Sequence, residues 1–219
     1  MPGYLTIKGG AGAEFEIKRS RFIASLLHAE NAAEAREFIL SVKKKYYDAR
    51  HNPYAYVLGE NMGEQKSSDD GEPSGTAGSP ILDALVKRGF SNVVVVVTRY
   101  FGGIKLGAGG LTRAYGQAAC LGLDAAELLS AESVVPLQTT FDYERLAVIE
   151  RFLTQKNIIV ESSDYGEKVT LLLLLPTKTA ADLENELVDL TAGRLSRAKF
   201  APKFTLLPLE SKNKLGSGV

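Results

Sequence analysis

Five consecutive valines, Val93 to Val97, constrain the fold of this 219-residue chain more than any other feature. β-Branched side chains are stiff at χ1 and favour strands. Five in a row leave no polar face, so the strand they form must be buried on both sides. The stretches around the run are of a different kind. Before it stands Asp69-Asp70-Gly71-Glu72-Pro73-Ser74-Gly75-Thr76-Ala77-Gly78-Ser79-Pro80. Directly after it comes Thr98-Arg99-Tyr100-Phe101-Gly102-Gly103-Ile104-Lys105-Leu106-Gly107-Ala108-Gly109-Gly110-Leu111-Thr112-Arg113-Ala114-Tyr115-Gly116. Glycine, charge and aromatics are concentrated where an ordinary connecting loop would be bland.

Element signals flank this centre. Tyr4 to Lys8, Glu14 to Lys18 and Phe22 to Leu27 read as strands, with a turn at Gly9-Gly10-Ala11-Gly12. Ala32, Ala35, Phe38, Ile39, Val42 and Tyr46 recur at helical spacing behind a capping Asn31, so this face packs on a sheet. Tyr54 to Gly59 reads as a strand with Tyr56 and Leu58 on one face. Residues 62–78 have no apolar period and read as one long exposed loop with few anchors to order it. A short helix starts at Pro80 and stops at Gly89. A second runs from Leu111 to about Leu129, with Gly116 and Gly122 inside it for close packing and Cys120 buried. After Ser133 the signals restart. A strand over Val134 to Tyr143 precedes a helix marked by Leu146, Ile149, Phe152 and Leu153. Strands at Ile158 to Glu161 and Lys168 to Leu175, a helix with Leu183, Leu187 and Leu190 inward, and a strand near Ala198 to Leu207 complete a βαββαβ order.

Composition narrows the class. With 45% hydrophobic residues the chain has enough apolar content for sizeable cores. No run approaches the ~20 apolar residues of a membrane span. Met1-Pro2-Gly3-Tyr4-Leu5 carries no signal-peptide pattern, and one cysteine excludes an internal disulfide; a cytoplasmic protein is expected. The 26 basic residues balance 26 acidic ones, and the balance holds on either side of Val135, which disfavours tight non-specific nucleic-acid binding by the whole surface.

The glycine-rich segment fails both named phosphate motifs. A P-loop needs Lys and Ser/Thr where Ala108 and Gly109 stand, and the dinucleotide fingerprint meets Thr112 at its third glycine. Exposed amides at a helix start still favour anions. Arg99, Lys105 and Arg113 add charge there, Tyr100 and Phe101 offer stacking faces, and Gly102, Gly103, Gly107, Gly109 and Gly110 bare the backbone. Arg99 is the leading ligand residue. The alternative is structural, with the three cations solvated or paired with Asp69, Asp70 and Glu72. The same three carboxylates are candidates for a divalent metal. His51, Asp70 and Glu72 are candidates for acid/base work. The run Lys43 to His51 interleaves cations and aromatics as a nucleic-acid surface does, or complements a helix dipole. Arg194, Arg197, Lys199 and Lys203 read as a solvated strand edge.

Together with Asp48-Ala49-Arg50-His51-Asn52 and Ala55-Tyr56, the two long strings resemble the IMPACT family in its bacterial, YigZ-type form, over the whole chain. The resemblance implies an α+β chain of two domains. Residues 1–135 would form a βαβ sandwich like the fourth domain of elongation factor G, and residues 136–210 a ferredoxin-like domain like its fifth, with a polar tail at 211–219. Such domains contact RNA in translation, and eukaryotic relatives regulate translation through protein partners in amino-acid starvation. The expected function is therefore non-enzymatic binding of RNA or the ribosome, without a cofactor. Two alternatives stand beside it: an enzyme acting on a small anionic substrate at the glycine-rich loop, and a protein-interaction module with a regulatory partner.

Overall fold

The valine run lies at the centre of a sheet. A computed structural model describes residues 3–209; the expected polar tail falls outside them. The elements in chain order are β1 (Tyr4–Ile7), β2 (Gly10–Ile17), β3 (Ser20–His28), α1 (Ala32–Lys45), β4 (Tyr54–Leu58), β5 (Glu64–Ser68), α2 (Gly78–Lys87), β6 (Val93–Tyr100), α3 (Ala108–Asp124) and β7 (Leu128–Phe141). They continue as α4 (Leu146–Gln155), β8 (Ile159–Tyr165), β9 (Val169–Pro176), α5 (Ala180–Leu190), β10 (Ser196–Lys199) and β11 (Lys203–Pro208). The chain divides into two units, one built on Tyr4–Ser130 and one on Ala131–Leu206.

In the first unit the sheet runs β2-β3-β6-β4-β5, with antiparallel neighbours throughout. Successive side chains of a strand point to opposite faces, so β6 serves two cores. Val93, Val95 and Val97 pack with Ile81 and Leu85 of α2 and Leu111 and Tyr115 of α3. Val94 and Val96 pack with Ala35, Ile39 and Val42 of α1, beside Tyr56 and Leu58. α1 starts as its sequence dictates: Asn31 Oδ1 accepts the backbone N–H groups of Ala33 (3.0 Å) and Glu34 (3.1 Å).

In the second unit the order β10-β7-β9-β8, antiparallel throughout, is the ferredoxin-like arrangement of a βαββαβ chain. Ile149, Phe152 and Leu153 of α4 and Leu183 and Leu187 of α5 cover one face of this sheet around Leu137, Leu171 and Leu173. β11 also pairs with β7. The mixed, two-domain α+β architecture is the expected one.

Several boundaries differ from the sequence reading. Gly10 and Gly12 lie inside β2, and the turn falls at Lys8-Gly9, where Gly9 takes φ +66°. Residues 62–78 are not one exposed loop: Glu64–Ser68 forms an edge strand paired with β4, and Thr76, Ala77 and Gly78 are buried. A strand with no buried side has no alternation to betray it. α2 begins two residues before Pro80, at Gly78, where a Cβ would lie 2.7 Å from the Ser68 backbone and only glycine fits. α3 ends at Asp124, and Leu128-Leu129 open β7. The last strand is two, parted around Pro202, which cannot donate to a ladder. The boundary expected at residue 135 falls within β7.

Candidate functional site

The acidic string folds into a turn whose carboxylates are all occupied by the protein. Asp69 accepts N–H groups from Gly75 (2.8 Å), Ala77 (2.9 Å) and Gly78 (2.9 Å), closing the turn and capping α2. Burial pushes its carboxyl up, but the three backbone donors prevail and hold it below the usual range. Asp70 takes Lys43 Nζ at 2.5 Å and the Asn52 N–H at 2.7 Å. Glu72, almost fully buried, accepts both Arg99 Nη1 and the Tyr115 hydroxyl on Oε1, each at 2.7 Å. Burial, then the bond to Glu72, raises the Tyr115 phenol far above its ordinary value. Among the described residues no cluster of three or more His, Cys, Asp and Glu is placed to hold a metal, and the three metal candidates, Asp69, Asp70 and Glu72, are committed as described.

Arg99 is thus not the free phosphate ligand that the sequence suggests. The structural alternative holds for it: β6 carries it inward, its side chain is about nine-tenths buried, and it pairs with Glu72. Its guanidinium lies 5.6 Å from the Phe22 ring centre and 5.5 Å from that of Phe101, and its Nε has no hydrogen-bond partner.

Beside Arg99 opens a pocket of about 560 Å³, lined by Asp48, Arg50, His51, Arg99, Tyr100 and Phe101. The Tyr100 hydroxyl donates to Asp48 Oδ1 at 2.7 Å, and this bond, helped by burial, pushes the phenol up to about 12. His51 Nδ1 lies 2.9 Å from the Asp70 carbonyl oxygen. A carbonyl only accepts, so Nδ1 carries a hydrogen and Nε2 is the ring nitrogen left without a partner among the described residues. The His51 carbonyl accepts the Arg99 N–H at 3.0 Å, tying this wall to β6. Phe101 is 57% exposed. Arg50 is exposed and has no partner among the described residues.

The glycine-rich loop continues from this pocket. Gly103 (φ +83°) and Gly107 (φ +74°) adopt backbone that other residues resist, and Gly107 leads into α3 without a side-chain cap. The first turn of α3, with Gly109 and Gly110, therefore keeps its N–H groups open, unlike that of α2. Arg113 folds back over it, its Nη1 3.9 Å from the position of a Cβ on Gly109. Lys105 and Arg113 are both exposed and unpaired among the described residues.

The sequence reading missed Lys18 and Arg19. They are the two-residue tip of the β2–β3 hairpin, both at positive φ (+46° and +63°), exposed and unpaired among the described residues. Gly102 seats its backbone on this tip: a Cβ there would overlap the Arg19 backbone, and its N–H donates to Ser20 Oγ at 3.1 Å. The available signal was two strand patterns close together, Glu14 to Lys18 and Phe22 to Leu27, but the first was carried one residue too far and the tip lacks the usual Asn-Gly. The Lys43 to His51 run is divided, since Lys43 is paired and Lys45 lies over the Tyr46 ring, while Arg50 and His51 reach the pocket. Cys120 is half-buried, beside a shallow groove between α2 and α3, rather than sealed in the core. Arg197, Lys199 and Lys203 are paired with Glu184 and Glu161.

The Impact N-terminal domain model matches residues 18–123, which contain both loops and the pocket. A domain of unknown function, DUF1949, matches residues 139–194. The chain is 41% identical over 194 residues to the IMPACT family member YvyE of Bacillus subtilis, covering 89% of each. The chain belongs to the IMPACT family. The IMPACT family member YigZ of Escherichia coli is 39% identical over 185 residues, covering 82% of this chain and 89% of YigZ. A crystal structure described as that of a hypothetical protein is similar over 97% of this chain and all of its own, at TM-score 0.58 and 34% identity. Every residue of the IMPACT-domain pocket lies inside the first matched span.

Proposed function

We propose that this IMPACT-family protein binds RNA, free or on a ribonucleoprotein, in the cytoplasm, and acts in translation or its regulation. One observation carries the reading. Lys18, Arg19, Arg50, Lys105 and Arg113 are exposed, have no acidic partner among the described residues, and belong to the hairpin tip, pocket wall and loop that frame the exposed Phe101 ring. Cations supply phosphate affinity, and an exposed ring stacks on any base. The translational role rests on the likeness to elongation-factor domains that the family resemblance implies.

Single-stranded RNA binding measured across a salt series tests this. Four or five contacts predict that log affinity falls with log salt at a slope of roughly −3, and Lys105→Ala with Arg113→Ala together flatten it by about 1.4. A slope unchanged in the double variant overturns the reading. Recovery of ribosomal RNA with the purified protein checks it independently.

A second reading, catalysis on a small anionic substrate, is favoured by the position of His51 in the pocket wall with its Nε2 unpartnered among the described residues. Turnover abolished by His51→Ala, with RNA affinity unchanged, would select it.

A further inference from the structure

We infer that the pocket beside Arg99 receives a single ribonucleotide, with the phosphate at Arg50, the base on Phe101 and a ribose hydroxyl on Asp48. The inference deepens the RNA reading and rests on it. Its lining differs in kind from the surrounding basic surface. At about 560 Å³ the pocket lies within the range of small-ligand sites. It offers one unpaired cation, one exposed aromatic face and one carboxylate, which a phosphate alone would not need. Asp48 receives the Tyr100 hydroxyl on Oδ1, so its second oxygen is available to accept from a hydroxyl. An acceptor of this kind prefers a ribose that still has its 2′-hydroxyl, the group by which proteins tell RNA from DNA.

The inner wall is a buried cation held in place by the protein. Arg99 keeps its Nε without a partner although its side chain is about nine-tenths buried, a deficit that proteins rarely leave. Stacking against Phe22 and Phe101 holds the guanidinium plane in place, and Glu72 holds one end. With Glu72 balancing Arg99, and Asp48 offsetting Arg50, the pocket has no large excess of positive charge. A bare anion therefore gains little there, and the base and ribose must contribute most of the affinity.

The same chemistry is present in a free mononucleotide and in one nucleotide of a chain, so both are titrated against the full-length protein. The probes are 5′-AMP, 5′-dAMP, adenosine, inorganic phosphate and a short single-stranded RNA. The expected order is AMP tighter than dAMP, and both tighter than phosphate. Phe101→Ala weakens AMP at least about five-fold, as loss of a base-stacking ring does. Arg50→Ala weakens AMP but not adenosine, and Asp48→Asn removes the preference for AMP over dAMP. All three side chains are exposed, and unchanged thermal midpoints establish that the variants fold. AMP binding no better than phosphate, or variants that bind AMP as the parent does, overturns the inference. If RNA binding then persists and still depends on Lys105 and Arg113, the RNA reading survives without it. AMP binding without RNA binding upholds the nucleotide pocket and removes the RNA reading.

Discussion

Asp69 shows how one side chain can organise a segment with few apolar contacts. Its carboxylate is held below the usual range, so the stability it contributes is present above the unfolded value near 4 and is lost as pH falls through the lower folded value. Asp69→Asn is expected to cost about 1–2 kcal/mol at neutral pH, in the range of a lost helix cap. It should also shrink the difference in urea midpoint between neutral and acidic solution. Glu72 is the more severe case. Removing its charge leaves Arg99 buried and unpaired, at a cost of about 3–5 kcal/mol for Glu72→Gln, whereas Tyr115→Phe removes one hydrogen bond and costs about 1–2 kcal/mol. Urea unfolding of the two variants ranks them. Arg99 stood out in the sequence as a cation among glycines. Glu72 was one of three carboxylates the sequence offered as partners, with nothing local to choose among them, and Tyr115 was not offered; the turn before α2 brings Glu72, and α3 brings Tyr115, to the guanidinium.

At the scale of elements, two glycines of α3 were read alike from sequence and differ in structure. A Cβ on Gly122 would overlap the Leu26 side chain of β3, whereas one on Gly116 would lie 3.8 Å from Pro80. Gly122→Ala should therefore destabilise by about 1–3 kcal/mol through overpacking, and Gly116→Ala should stabilise by up to about 1 kcal/mol through helix propensity. Thermal midpoints that move in opposite directions are the expected result. The Lys18-Arg19 tip makes a related point. Its backbone suits Asn-Gly, so the pair Lys18→Asn and Arg19→Gly is expected to stabilise the hairpin by about 1 kcal/mol while weakening RNA affinity and flattening its salt slope. Gain in both properties would show that the two cations lie outside the interface.

Across the whole molecule, the division into two units falls between Ser130 and Ala131, a few residues before the boundary that the sequence placed at Val135. Val135 pairs with Leu175 and belongs to the core of the second unit. A chain beginning at Pro136 should therefore melt about 10 °C or more below one beginning at Ala131, since each buried valine contributes about 1.5 kcal/mol or more. Circular dichroism melts of the two check this. Elements with one strong period were legible in the sequence: the valine strand, α1 with its Asn31 cap, and the leucine faces of α4 and α5. β5 was not legible, because an edge strand with no buried side carries no period. The glycine and cation composition of the site was visible too, as was its incompatibility with either named phosphate loop. By itself the sequence determined the two-domain α+β fold and the family, since apolar spacing and long motif strings are local properties of the chain. Tertiary structure alone decided which charges are free: Arg99 was taken inward to Glu72, while Lys18, Arg19 and Arg50 were left facing water. Pairing between residues tens of positions apart depends on where the strands and helices pack, and no local pattern records it.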